Sequence, residues 1–244
     1  INTHCLHHNS DIMNIDLGYQ NVVVVFDLDD TLFYEKDYVI SAYRAIDRYM
    51  VDKHSIAQDF CYQTMIEAFE KKQNPFDALF HALSGTYPEV NEDIAILLDI
   101  YRYHAPSISL AQQTSEFLQQ LQSMKIRMGL VTDGRSKTQR NKIDALGIAK
   151  YFDAQDIIIS EEIGKDKSSP DAFSHFVHRF PNAKGFVYVG DNPAKDFLWP
   201  NLLGWKSICL KDKGDNIHPQ TEQDDKDSMP SIVVDNLSDV LTHL

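Results

Sequence analysis

The chain has 244 residues, enough to bury a full α/β core together with a smaller inserted domain. Its formal net charge of −13 opposes a surface that binds nucleic acid or anionic membrane, while leaving room for a local basic cluster that holds a small phosphate. No run is long and apolar enough to span a membrane, the N-terminus carries no secretory pattern, and the three scattered cysteines (Cys5, Cys61, Cys209) suit a reducing cytoplasm.

Residues 1–19 are polar, with His4, His7 and His8 near Cys5, and read as a loosely attached extension in which Met13 is a candidate natural start. Val22 to Phe26 is a short, β-branched apolar run, as expected of a central strand in a parallel sheet covered on both faces. Helical apolar spacing follows over Lys36–His54, Ile56–Gln73, Phe76–Ser84 and Asn91–Tyr103, broken at Asn74-Pro75 and Gly85-Thr86-Tyr87-Pro88. The spacing therefore predicts an all-helical domain over 35–105, inserted into a core of residues 20–34 and 106–244. Within that core, helices are expected at Thr114–Met124 and Lys137–Leu146, the second ending at Gly147. Strands are expected at Ile126–Val131, Ile157–Ile159, Phe186–Val189, Ser207–Leu210 and Ile232–Val234. Their alternation with helices implies right-handed crossovers and a doubly wound, Rossmann-like parallel sheet. Lys211–Pro230 is polar, with an acidic patch at Glu222–Asp227, and reads as a surface loop.

The chemistry gathers at predicted strand ends, where ligands of such sheets bind. After the first strand come Asp27 and Asp29, which point the same way in an extended segment. Like charges held that close repel unless a cation sits between them, which suggests a Mg²⁺ site beside a nucleophile. The strand at Ile126–Val131 runs into Thr132-Asp133-Gly134, whose hydroxyl and backbone N–H groups suit a phosphate oxygen. Lys165 and Lys167 precede Pro170 and a helix opening at Asp171, where a lysine offsets phosphate charge. Phe186–Val189 ends in Gly190-Asp191-Asn192 and runs on to Asp196.

These four segments, in this order, resemble the four motifs of the haloacid dehalogenase-like superfamily of phosphohydrolases. The resemblance covers about residues 20–210; it departs from the usual pattern at Ser168, which stands where a proline is common, and spacing to Pro170 favours Lys167 over Lys165 as the phosphate lysine. It implies that Asp27 attacks phosphorus and forms an aspartyl-phosphate. It makes Asp29 the acid that protonates the leaving oxygen and the base that then activates water, with neighbouring acids helping to keep it protonated. Mg²⁺ would be held by Asp27, Asp191 and the backbone carbonyl of Asp29, with Asn192 or Asp196 orienting a metal water from behind. Thr132, Asp133, the Gly134 amide and Lys167 would bind the phosphoryl group. Within the family Asp29 also separates phosphate from halide chemistry, because a halide needs no protonation.

The helical insertion looks like the C1-type cap of this superfamily, which covers the site and selects substrates. Tyr34-Glu35 and His104-Ala105-Pro106 would be its two crossings. Arg102, at the return crossing, is placed either to grip a substrate carboxylate, phosphate or sugar hydroxyl, or to end its helix in a salt bridge. The expected protein is thus a cytoplasmic, Mg²⁺-dependent phosphatase of a small phosphorylated metabolite, a sugar phosphate or nucleotide, acting as a monomer or homodimer. The alternatives are a phosphomutase, a phosphonate hydrolase that needs a cap lysine (Lys36, Lys53, Lys71 or Lys72), and a silent phosphometabolite-binding regulator; retention of both Asp27 and Asp29 speaks against the last.

Overall fold

The computed structural model describes residues 21–244. The N-terminal extension with its histidines lies outside the described residues. Six strands form one parallel sheet: β1 (Val22–Phe26), β2 (Arg127–Thr132), β3 (Ile157–Ile159), β4 (Gly185–Gly190), β5 (Lys206–Leu210) and β6 (Ile232–Val234). Their order across the sheet is β3-β2-β1-β4-β5-β6, so β1 and β4 lie side by side at its centre. Every strand expected from the apolar runs is present.

Side-chain alternation in β1 splits the core into two layers. Val24 and Phe26 face one side with α5 (Gln112–Ser123) and α6 (Ser136–Leu146), through Phe117, Leu121 and Ile143. Val23 and Val25 face the other with α8 (Asp171–Arg179), through Phe173 and Phe176. Each large apolar side chain buried this way stabilises the fold by about 1.5–3 kcal/mol. Contact on the second face is close enough to require glycine in β2: a Cβ on Gly129 would lie 2.1 Å from the Phe176 ring. Two short helices, α7 (Ser160–Ile163) and α9 (Leu198–Leu202), complete the connections.

Residues after β1 form α1 (Glu35–His54), α2 (Phe60–Glu70), α3 (Pro75–Thr86) and α4 (Ile94–Tyr103). They enclose their own apolar cluster, built on Tyr43, Ile46, Met50, Met65, Leu79 and Leu97. Helix α2 starts four residues later than its apolar spacing suggests, because buried Asp47 of α1 accepts from the amides of Asp59 (3.0 Å), Cys61 (3.0 Å) and Tyr62 (3.2 Å). A carboxylate there satisfies amides the helix itself cannot, and favours the positive end of its dipole. Helix α3 starts where Asn74 caps Phe76 and Asp77, with proline at its first position.

The return crossing is fastened to α6. Thr138 donates to the Arg102 carbonyl (2.9 Å), and Asn141 to those of Tyr103 (3.3 Å) and His104 (3.1 Å). Tyr38 of α1 adds bonds to the carbonyls of Tyr101 (2.8 Å) and Arg102 (3.1 Å). Among the described residues no helix is long and apolar enough to cross a membrane.

Candidate active site

The carboxyl ends of β1, β2 and β4 converge on a cavity of about 120 Å³, walled by Asp27, Asp29, Thr132, Asp133, Lys167 and Asp191 among others. Asp27 follows β1 directly, and its backbone N–H continues the ladder to the Val189 carbonyl at 2.8 Å. Lys167, only 4% exposed, reaches Asp27 Oδ1 at 2.7 Å and Asp196 Oδ1 at 2.8 Å. Its neighbour Lys165 is exposed. The Lys167 amide donates to Asp133 Oδ1 (3.1 Å), so Asp133 steers the loop that carries the lysine.

Asp196 is wholly buried and fully committed. Its Oδ1 takes Lys167 and the Tyr188 hydroxyl (3.3 Å); its Oδ2 takes the amides of Asp191 (3.1 Å) and Asn192 (2.8 Å). That packing excludes any side chain at Gly190, where a Cβ would lie 2.5 Å from Asp196 Oδ2. Asp196 therefore braces the turn after β4 and holds Lys167 across the site.

Burial drives the charge balance. It pushes Asp27 up to about 8, with Lys167 opposing and the Asp196 charge reinforcing the rise. Burial, with the charges of Asp27 and Asp196, pushes Asp191 up to about 9. For Lys167, burial alone would favour the neutral form, but Asp196 and Asp27 outweigh it and hold the ammonium well above its ordinary range. The site thus carries more carboxylate than its lysine can neutralise. One oxygen each from Asp27, Asp191 and Asp196 lie within 4.8 Å of one another, as a cation site requires. Asp27 Oδ1 is taken by Lys167 and the Leu28 amide, and Asp191 Oδ2 by Asn216. Oδ2 of Asp27 and Oδ1 of Asp191 have no hydrogen-bond partner among the described residues. An acid-rich pair of this kind fits a hard divalent ion such as Mg²⁺, with Asp196 behind it.

Asp29 meets different neighbours from those expected. Its surroundings are not acids alone: Lys142 of α6, 3% exposed, donates to Oδ1 at 2.6 Å, and Gln139 donates to Oδ2 at 2.9 Å and also to Thr132 Oγ1. Lys142 reaches Glu35 as well (3.5 Å), the first residue of α1. Burial and the Asp29 charge push Glu35 up to about 7, against the pull of Lys142.

Two expected substrate contacts are not brought to the cavity. The Gly134 amide donates to Ser160 Oγ (2.9 Å), which takes it away from a phosphate. Arg102 does not line the cavity, and its structural bonds run through its backbone carbonyl. Conversely, segment 211–230 is more than a surface loop. Asn216 donates to Asp191 Oδ2 (2.8 Å), the Ile217 amide to Asp30 Oδ2 (2.9 Å), and His218 lines the cavity. Lys142, Gln139, Asn216 and His218 were not legible as site residues from the sequence pattern. A larger cavity of about 550 Å³, walled by Thr31, Phe33, Tyr34 and Phe117 among others, contains none of the residues Asp27, Lys167 or Asp191.

Residues 24–208 match the family described as haloacid dehalogenase-like hydrolase. The chain belongs to that family. It sits on the family's phosphatase branch. A glyceraldehyde 3-phosphate phosphatase of Methanocaldococcus jannaschii is 30% identical over 197 residues, 77% of this chain and 83% of that protein. One from Methanothermobacter thermautotrophicus is 25% identical over 220 residues, 88% of this chain and 96% of that protein. Among solved structures, the HAD-hydrolase YfnB of Bacillus subtilis, determined bound to magnesium, superposes with a TM-score of 0.60 at 20% identity, covering 92% of this chain and 99% of that one. At that identity the likeness shows the shared fold.

Proposed function

We propose that this haloacid dehalogenase-like hydrolase is a Mg²⁺-dependent phosphatase of a short sugar phosphate, working through an aspartyl-phosphate on Asp27. The observation that carries the reading is the pairing, in one cavity, of Asp27 held by Lys167 with a second acid, Asp29. Asp27 attacks phosphorus in line, so that its bond to phosphorus forms as the ester bond breaks. Asp29 gives its proton to the leaving oxygen, its orientation fixed by Lys142 and Gln139. Water then attacks the aspartyl-phosphate, Asp29 takes back a proton, and inorganic phosphate leaves. Lys167 and the Thr132 hydroxyl face the phosphoryl oxygens, where fixed charge and donors do most of the work. Mg²⁺, held by Asp27, Asp191 and the backbone carbonyl of Asp29, would offset phosphoryl charge when bound.

Helices α1–α4 act as the cap in this reading, and Glu35 and Lys142 link it to the general acid. A cavity of about 120 Å³ suits a short phosphomonoester better than a nucleotide, and the similarity to glyceraldehyde 3-phosphate phosphatases supports the same choice. The buried free thiols of Cys61 and Cys209 suit a cytoplasmic enzyme.

The test is phosphate release across a panel: glyceraldehyde 3-phosphate, phosphoserine, ribose 5-phosphate and a nucleoside 5′-monophosphate, each with Mg²⁺ and with EDTA. The expected result is preference for the short substrates and no turnover in EDTA. Preference for the nucleotide would overturn the substrate class, and turnover in EDTA would overturn the metal.

A further inference from the structure

The segment after β5 folds back over the catalytic end of the sheet, and its bonds form a closed strap. At the base, Gln220 Nε2 donates to the carbonyls of Leu210 (2.7 Å) and Asp191 (2.7 Å), while its Oε1 accepts from the Asp212 amide (3.0 Å). Asp212 Oδ1 then gathers the amides of Gly214 (2.7 Å), Asp215 (3.1 Å) and Asn216 (3.2 Å) into a tight turn, made possible by the positive φ of Gly214 (101°). That turn delivers the side-chain amide of Asn216, through Nδ2, to Asp191 Oδ2 at 2.8 Å. One residue on, the Ile217 N–H holds Asp30 Oδ2, and the Ile217 side chain packs against the apolar cluster of α1–α4. The strap residues themselves, Asp212, Asn216, Ile217 and Gln220, belong to none of the four motifs.

We propose that Asn216 is a positioning residue for the metal ligand Asp191; this rests on the reading that Asp191 holds Mg²⁺. A carboxylate has two equivalent oxygens and a soft terminal torsion, so an isolated one presents either oxygen over a broad range of angles. A donor fixed on Oδ2 removes that freedom and leaves Oδ1 turned to the cation. A neutral amide is the right donor for the task. An ammonium on the same oxygen would compete with the cation for the negative charge, whereas an amide orients it without neutralising it. The strap's three anchors, Gln220 at the base, Asp212 in the turn and Ile217 beyond, keep the amide in place before any cation arrives. Outer partners of metal ligands typically contribute about 10–100-fold in metal affinity.

The experiment measures Mg²⁺ binding directly. Wild type, Asp191→Asn and Asn216→Leu (near-isosteric, without the donor) are titrated with Mg²⁺ by calorimetry, with melting curves in EDTA as a check on folding. If Asn216→Leu does not fold, Asn216→Ala replaces it. The expected result is tight binding by wild type, loss in Asp191→Asn, and a dissociation constant raised about 10–100-fold in the Asn216 variant. The activation constant for Mg²⁺ should rise by the same factor, with activity recovered as Mg²⁺ is raised. Unchanged Mg²⁺ affinity in a folded Asn216 variant overturns the proposal while leaving the metal reading intact. Absence of Mg²⁺ binding by the wild-type protein overturns the metal reading itself.

Discussion

The sheet end and the four-helix insertion bury polar groups for different purposes. Around the sheet end, Asp27, Lys167, Asp191 and Asp196 are buried against one another, at a cost that burial imposes on every charge in the set. In the insertion, the buried acids Asp47 and Glu92 satisfy backbone amides, a histidine and a lysine, buried Ser41 bonds His104 and the Ser107 amide, and the other buried side chains are apolar. The cluster at the sheet end keeps more carboxylate than its lysine balances, whereas the buried acids of the helices are matched by their donors.

The largest expected effect strikes the core. Asp27→Asn removes the attacking oxygen's charge, and phosphate release should fall by about 10⁴-fold or more, well within typical enzymatic accelerations. Substantial release by that variant would sink the covalent route. Lys142→Met tests the seam between the two regions. It strands Asp29 and Glu35 beside an apolar stem, and breaking one side of such a buried pair costs about 3 kcal/mol, at the low end of the usual range because both acids keep some exposure. Denaturant unfolding measures that loss; an unchanged midpoint would mean the pair contributes nothing. Lys167→Ala should lower turnover about a hundredfold, near 3 kcal/mol, while exposed Lys165→Ala stays within about threefold. Equal losses in steady-state assays would show that both lysines serve the substrate.

Smaller effects probe the helices. Asp47→Ala removes three amide bonds at the start of α2 and should cost about 2 kcal/mol of stability with turnover per folded molecule unchanged. Lost turnover in the folded variant would erase the division between chemistry and architecture. The smallest effect is expected of Arg102→Ala. Its side chain does not line the cavity, so the ratio of catalytic efficiencies for the preferred substrate and a generic aryl phosphate should hold within about twofold. A larger shift in that ratio would bring Arg102 to the substrate when the helices close.

The strands and the acids at their ends were legible because the signal is local. Five or six apolar residues fix a strand, and a carboxylate just beyond it has only one place to go. Lys142 shows where this fails. Its neighbours Ser136-Lys137-Thr138-Gln139-Arg140-Asn141 look like an ordinary solvated helix face, and only its place beside Ile143 and Leu146, one turn after Gln139, hints that it points inward. Asn216 and His218 were harder still, since nothing in the polar run around them has a period. The clue was length: about twenty residues with little regular structure in a compact α/β domain are more often functional than idle. Gly134 misled for the opposite reason, because its free-looking amide is claimed by Ser160, a residue brought near only by the β2–β3 pairing.

Strand β1 sits at the centre of the sheet yet is made first. Its partners, β2 and β4, begin at Arg127 and Gly185, with the whole helical insertion between. At synthesis rates of about 5–20 residues per second, Val22–Phe26 waits roughly 8–30 s before β4 exists to cover its second edge. The helices of the insertion pack among themselves over shorter chain separations than the sheet, whose central pairings join residues a hundred or more apart. A five-residue apolar strand with at least one edge open through that interval is a template for pairing with another chain. The same central placement that puts Asp27 between the ends of β2 and β4 leaves β1 with an open edge until β4 is made.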